Sequence, residues 1–431
     1  MATILRNATY IDWESLSMKQ CNIIAGEGKN AGIRFVDKVS DEMTGVKETS
    51  VIDCTGKFVT KSFAIGHHHV YSALARGMPK PLGVPSDFRA ILKYIWWTLD
   101  QNLDRESIRL SALATAIEAL KAGSTFIVDH HASPGHIGGS LETIAGAFEQ
   151  AGISHLLCYE VTDRYGTDKA AEGLEECDNW LEKNQGLVGL HASFTVGNES
   201  LERAVRLMQK HGSGIHIHLA EDKYDQKHCL QNYYQQAGHR LNEAGVLDSP
   251  KTILVHGLHL NDGERDMIRK KPCWIAQNME SNLKNKVGCF SSRGLGDKIF
   301  LGTDGMHGDM LRSMKAAFFA GQLYDDINFT SAYQRLRNIH RYIRQNNFSG
   351  DGDNNLIVVD YNSATEVNPD NFAAHLIFGI SSSHIRYVIA EGRVVVKDGR
   401  LQTLDEEAVL KEARKYAGML WKRMSASHKT I

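Results

Sequence analysis

No stretch of this chain approaches the roughly 18 to 20 consecutive apolar residues that a membrane span needs. Its first residues, MATILRNATYIDWES, place charged and polar side chains where a secretory signal would carry an apolar centre. Charge of one sign is not in excess either. Forty-nine Lys and Arg stand against 51 Asp and Glu, a formal net charge of -2, which argues against a nucleic-acid surface or a polybasic membrane surface. The seven cysteines are odd in number, scattered, and form no CxxC pair, so a secreted disulfide framework is excluded and a reducing compartment fits. What remains is a cytoplasmic protein whose partner is a small molecule, with no nucleic acid and no membrane.

What is present points to an enzyme-sized fold. The 431 residues are 42% hydrophobic and 23% charged, enough for a barrel of about 250 residues with a smaller attached module. Residues 1–58 read as short strands punctuated by Gly and Asn: ATILRNATYI, CNIIAGEG, GIRFVD and TSVIDCTG. NNLIVVDYN and IRYVIAEGRVVVKDGRL read as their counterparts near the other end, and LDEEAVLKEARKYAGMLWKRMS as a closing helix. A β-sandwich module assembled from both termini, 1–58 and 346–431, is therefore expected around a central domain at 59–345. That centre holds eight short apolar runs: FAIGH, STFIVD, SHLLCYEV, LVGLHASF, GIHIHLA, TILVHG, CWIAQN and KIFLGTD. Stretches with helical spacing separate them, such as ESIRLSALATAIEALKAG with Gly123 just past its end. Eightfold strand–helix alternation predicts an α/β fold, a (β/α)8 TIM barrel, in preference to an open doubly wound sheet.

Nearly every run ends in a polar residue, and active sites of this architecture sit at the C-terminal ends of the strands. In GHHHVYSALARG, His67 and His69 share one side of an extended segment, since alternate residues point the same way. Two imidazoles so placed make half of a metal site; a surface His cluster is the ordinary alternative. In GIHIHLAED, His216 and His218 again share a face, and Glu221 lies where the strand gives way to a loop. A carboxylate at that rim suits proton transfer to and from an activated water, although a loop acid needs no such role. LVHGLHL ends a strand with His256, and FLGTDGMHGD places Asp304 in a Gly-flanked turn. A core histidine bonded to backbone and a helix-capping aspartate are the plain readings of those two. Twenty histidines in all make this the notable residue of the composition.

The ordered pattern resembles the amidohydrolase superfamily, in the branch of cytosine, guanine and S-adenosylhomocysteine deaminases and triazine chlorohydrolases. The stretches HHHVYSALARGM, VDHHASP, CYEVTDR, HASFTVG, HLAED, ESN and LGTDGM look closest to the SsnA-type aminohydrolases. The resemblance implies that His67, His69, His218 and Asp304 hold one Zn2+ or Fe2+ per chain. It implies Glu221 as proton shuttle, His256 as the residue that orients water and polarises substrate, and Asp304 as a second proton acceptor. His191 and Asn282 fall at substrate-side positions, and Arg76 offers a cation for an anionic part of the substrate. No Lys ends the fourth run to bridge two metals, so one metal is expected. Deamination of an amino-substituted purine, pyrimidine or pterin-like ring is the implied reaction. Dechlorination, ring-amide hydrolysis and a catalytically silent binding barrel are the alternatives. A homo-oligomer, a dimer, is expected by fold analogy. Two departures stand out: TKSFAIGHHH lacks the usual Pro-Gly before the first pair, and QNMESN replaces HNPxSN at the seventh strand end.

Overall fold

The computed structural model describes residues 2–29, 31–40, 49–79 and 85–427. Five strands come first: β1 (Ala2–Ile11), β2 (Met18–Gly26), β3 (Ile33–Val36), β4 (Ser50–Asp53) and β5 (Phe58–Lys61). Eight follow in the centre: β6 (Phe63–His68), β7 (Ser124–His131), β8 (Ser154–Val161), β9 (Val188–Ala192), β10 (Ile215–Leu219), β11 (Ile253–His256), β12 (Trp274–Gln277) and β13 (Ile299–Leu301). Four close the chain: β14 (Leu356–Val359), β15 (Ile385–Ala390), β16 (Arg393–Lys397) and β17 (Arg400–Leu401).

The central eight pair in parallel in chain order, each with the next. Helices cover their outer faces, so these strands are near-continuous apolar runs rather than alternating ones. The last strand meets the first without a regular ladder. Thr303 N–H and Asp304 N–H both donate to the His67 carbonyl, at 3.0 and 3.2 Å, and a parallel bridge joins His68 to Asp304. The eight runs thus form a (β/α)8 barrel. The strands from both ends form a separate nine-stranded sheet in the order β17-β16-β15-β14-β5-β1-β2-β3, with β4 beside β1. Its core is Leu5, Tyr10, Ile23, Val59, Leu356, Val358 and Ile389.

Alternation along the barrel strands sorts its interior by height. Phe126 and Val128, Leu156 and Cys158, Val255, Ala276 and Phe300 fill the lower layers. From the helix Phe329–Gln345, Ile339, Tyr342 and Ile343 join that cluster. One step further along β7 and β8 come His130 and Glu160, and His191 on β9 and His218 on β10 lie toward the same ends, all buried. These lower layers are close-packed and apolar, and the histidines and carboxylates of the barrel interior gather toward the C-terminal ends.

The helix Arg105–Lys121 follows its sequence signals closely. Asp104 caps its start by accepting from Ser107 N at 2.8 Å, and Gly123 just beyond it adopts φ +86°. The terminal helix Glu406–Ser427 packs on it, and Trp421 Nε1 donates to the Leu74 carbonyl at 2.9 Å. Among the described residues, no helix is long and apolar enough to cross a membrane.

Two glycines test this packing. An added Cβ at Gly189 on β9 would strike the Tyr159 carbonyl of β8 and lie 3.1 Å from Cys158 Sγ. Gly146, on the helix Ser140–Ala151, has nothing within 4 Å. Gly189→Ala is expected to destabilise by about 1–3 kcal/mol through overpacking. Gly146→Ala should stabilise by up to ~1 kcal/mol through helix propensity. Denaturant midpoints of the two variants measure both, and shifts of the same sign would contradict this account of the barrel wall.

Candidate active site

His67 and His69 emerge at the end of β6, His218 lies on β10, and Asp304 follows β13. One ligand atom from each lies within 4.8 Å of all the others, and all four residues are buried. His69 Nε2 is 3.2 Å from His218 Nε2 and 3.1 Å from Asp304 Oδ1, while His67 Nε2 is 3.6 Å from Asp304 Oδ1. The far nitrogens are anchored. His69 Nδ1 donates to the His130 carbonyl and His218 Nδ1 to the His191 carbonyl, both at 2.7 Å. A carbonyl can only accept, so each ring keeps a proton on Nδ1 and presents Nε2 to the centre. This is the arrangement metal-bound imidazoles require.

His67 Nδ1 contacts His216 Nε2 at 2.9 Å, and His67 Nε2 is buried with no hydrogen-bond partner. Burial holds His67 and His218 well below the usual imidazole range, so both are neutral. Burial also opposes charge on Asp304, but the facing rings of His67 and His69 outweigh it and hold this carboxyl well below its usual range, while Asp304 in turn raises His69, against the cost of burial, to about 9. Three imidazoles and one carboxylate, around an orphaned ring nitrogen and with the proton of His69 held where a cation would displace it, fit a divalent zinc- or iron-type cation.

Beside this group stand Glu221 and His256. Asn282 Nδ2 donates to His256 Nδ1 at 2.8 Å, which leaves the His256 proton on Nε2. That Nε2–H faces Glu221 Oε2 at 3.5 Å and Asp304 Oδ2 at 3.9 Å. Burial brings His256 down to about 4. Burial, reinforced by Asp304, pushes the Glu221 carboxyl well above its usual range. Ala220, His256 and Asp304 all have positive φ, at 47°, 72° and 51°. Left-handed non-glycine residues are uncommon, and three at neighbouring strand ends mark a place where the backbone is bent to aim side chains.

A cavity opens above these groups. The π-helical turn Leu92–Trp96 and the helix Trp97–Gln101 roof it with Leu92, Trp96 and Trp97, and they bring Asp100 to its inner wall. There Arg164 Nη2 lies 3.4 Å from Asp100 Oδ2 and 3.5 Å from Glu160 Oε1, and its guanidinium sits over Trp97. His191, expected at the substrate side, lines this wall. Its Nδ1 bonds Thr195 Oγ1 at 2.6 Å and its Nε2 meets Arg164 Nη1 at 3.3 Å. Asn282 is fully buried behind His256 and does not line the cavity. Arg76 stands apart, exposed, donating to Glu118 Oε2 at 2.9 Å and to the Met306 carbonyl.

Arg164 and Asp100 are the groups sequence reasoning missed. Arg164 lies within the stretch CYEVTDR, but nothing in the stretch separates it from an ordinary loop arginine. Asp100 is carried in by a roof helix that no strand-end pattern marks.

The Asp100 carboxyl is pushed up to about 8, first by burial, with Arg164 opposing. The folded form therefore keeps a proton that the unfolded chain releases near 4. Between about pH 4 and 8 the unfolded state binds fewer protons, so this group's contribution to stability falls as pH rises through that window. Asp100→Asn should remove this component, flattening the stability–pH curve by up to ~1.4 kcal/mol per pH unit. Denaturation midpoints across the window give the answer, and an unchanged slope would mean that Asp100 is ionised in the fold.

The model of the amidohydrolase family matches residues 66–334. The 5'-deoxyadenosine deaminase of Methanobrevibacter smithii is 25% identical over 414 residues, covering 88% of this chain and 91% of the relative. The 5-methylthioadenosine/S-adenosylhomocysteine deaminase of Pelotomaculum thermopropionicum is 27% identical over 397 residues, covering 86% and 88%. Among solved structures, a zinc-bound adenosine deaminase from Xanthomonas campestris superposes with a TM-score of 0.81 at 15% identity, over 97% of this chain and 98% of that one. The zinc complex of atrazine chlorohydrolase from Arthrobacter aurescens gives 0.77 at 16% identity, over 96% and 100%. With the family model spanning most of the barrel and the strand-end residues in place, this chain belongs to the amidohydrolase family.

Proposed function

We propose that the chain is a metal-dependent aminohydrolase that removes the amino group of a nitrogen heterocycle. The observation that carries this reading is the set His67, His69, His218 and Asp304, buried and with tautomers suited to a cation, at the floor of a ring-sized cavity. These four residues would hold one Zn2+, with Fe2+ the alternative. Bound there, the metal supplies Lewis acidity, lowering the pKa of water so that a nucleophile is available near neutral pH.

The protein's own groups do the rest. Trp96, Trp97, Leu92 and Phe88 offer flat and apolar walls for a ring. Glu221, kept protonated by its raised pKa, delivers that proton to the ring nitrogen beside the reacting carbon and then takes one from the attacking water. His256 Nε2–H donates to the oxygen that is adding to that carbon, and Asn282 keeps the His256 proton on that side. The C–O bond forms, Asp304 accepts the remaining proton of the adding oxygen and passes it to the exocyclic nitrogen, and the C–N bond breaks to release ammonia and leave a carbonyl. Arg164 and His191 bind the ring edge away from the reacting carbon, and Arg76, outside the cavity, is given no part. Deamination is chosen over other hydrolyses because the curated relatives above are named as deaminases of adenosine-type compounds.

Elemental analysis of purified protein should find about one zinc or iron per chain, lost in a His67→Ala/His69→Ala variant. Ammonia release from a panel of aminopurines, aminopyrimidines and pterins should then identify a substrate. Glu221→Gln should cut its turnover by about 10²–10⁴-fold with the metal retained. A metal-loaded Glu221→Gln variant that turns over normally would overturn the assigned mechanism, and protein that takes up no metal would overturn the reading as a whole.

A further inference from the structure

Two of the three clustered imidazoles are pinned by backbone carbonyls, which admit one tautomer only. His67 is different. Its Nδ1 faces another imidazole, His216 Nε2, at 2.9 Å. An imidazole nitrogen can donate or accept, so this contact permits two arrangements. In one, His67 Nδ1–H donates and Nε2 is bare. In the other, His216 Nε2–H donates, and the His67 proton sits on Nε2, 3.6 Å from Asp304 Oδ1. The second arrangement blocks a cation, and the Asp304 carboxylate favours it.

The choice passes to the other side of His216. Its Nδ1 lies 3.6 Å from Cys158 Sγ, and Cys158 Sγ lies 3.5 Å from the Asp129 carbonyl. His216 is fully buried, and the rings against it are His67 and His130. Charging it there has no compensating anion, so it carries a single ring proton. The Asp129 carbonyl can only accept. With the Cys158 S–H turned to that carbonyl, sulfur receives the His216 Nδ1–H. His216 Nε2 is then an acceptor, His67 Nδ1–H donates to it, and His67 Nε2 is left free. The chain from Asp129 O through Cys158 and His216 to His67 closes with every donor matched to an acceptor.

We infer that His216 is a positioning residue that sets His67 in the tautomer a metal can use, with Cys158 fixing His216 in turn. The inference rests on the metal-site reading above and adds two residues to it that touch neither metal nor substrate. His216 lies two residues before His218 on β10, so one strand supplies both a ligand and the support for another.

The test is Zn2+ affinity of the metal-free full-length chain, measured by chelator competition, beside thermal unfolding of the same metal-free samples. His216→Gln keeps an amide oxygen able to accept from His67 Nδ1; His216→Leu keeps bulk but no acceptor. The Leu variant should bind Zn2+ about 10–100-fold more weakly than wild type, and the Gln variant should recover most of that loss. A packing role predicts the reverse order, because Leu suits a buried site better than an amide does. Cys158→Val, close in size, should weaken Zn2+ binding by a smaller factor without lowering the metal-free melting temperature comparably. It also carries the test should the Leu variant fail to fold. Leu and Gln variants of equal affinity, or Cys158→Val with wild-type affinity, would overturn the inference. Wild-type protein with no Zn2+ affinity would instead bring down the metal-site reading, and this one with it.

Discussion

The barrel closes on its own active-site residues. The first and last strands share no regular ladder; what joins them is the His67 carbonyl, which accepts from both Thr303 N–H and Asp304 N–H, and the bridge between His68 and Asp304. His68, between the clustered histidines, turns to the wall and bonds Thr303 Oγ1 at 2.8 Å. Closure of the fold and convergence of His67, His69 and Asp304 are one set of bonds. The crowding follows from this: an added Cβ at Gly302, on the last strand's exit, would lie 2.9 Å from the His67 Cβ. Glycine is required there because the two strands carry their functional residues into contact.

The electrostatics grade across the cavity. At the floor, Asp304 is held ionised and His69 beside it protonated, while burial keeps His67 and His218 neutral. Glu221, one shell outward, favours its proton, because burial and the neighbouring Asp304 both oppose a second negative charge. On the inner wall, Arg164 lies between two carboxylates with opposite fates. Glu160 is held low, against the cost of burial, by His191, His130 and Arg164. Asp100, with fewer cationic neighbours, retains its proton. Paired acids pushed apart in pKa by their surroundings are a recurring mark of sites that move protons.

Much of this was legible in the residues. All eight apolar runs of the centre are strands of one parallel barrel, because strands covered on both faces must be continuously apolar and the polar residue that ends each run has one place to go. The strand-end residues His67, His69, His218, Glu221, His256 and Asp304 meet, since spacing along an extended strand fixes which side chains share a face. What spacing cannot supply is direction beyond a turn. Arg76 follows the histidine pair closely, but the turn Val70–Ala75 carries it outward to Glu118. Asn282 turns back to His256 instead of toward the cavity. Asp100 arrives from a roof helix whose placement depends on a π-helical turn. His216 was visible as half of an HxH pair, but its contact with a histidine from another strand belongs to the closed barrel alone.

The sheet assembled from both ends also bears on how the chain is made. Strands β1 and β5 are translated about three hundred residues before β14, with which β5 pairs on the side away from β1. The buried guanidinium of Arg337 caps the carbonyls of Lys61 and Ser62 between the two sheets. During synthesis, the edge of β5 that takes β14 stays unpaired until residues beyond 350 emerge. Unpaired edges and long-range pairings are slow to close and prone to wrong partners. The buried polar cluster is completed late as well, because Asp304, beyond the last barrel strand, is translated more than two hundred residues after His67 and His69. The cluster therefore gathers in a barrel whose other strands are already made.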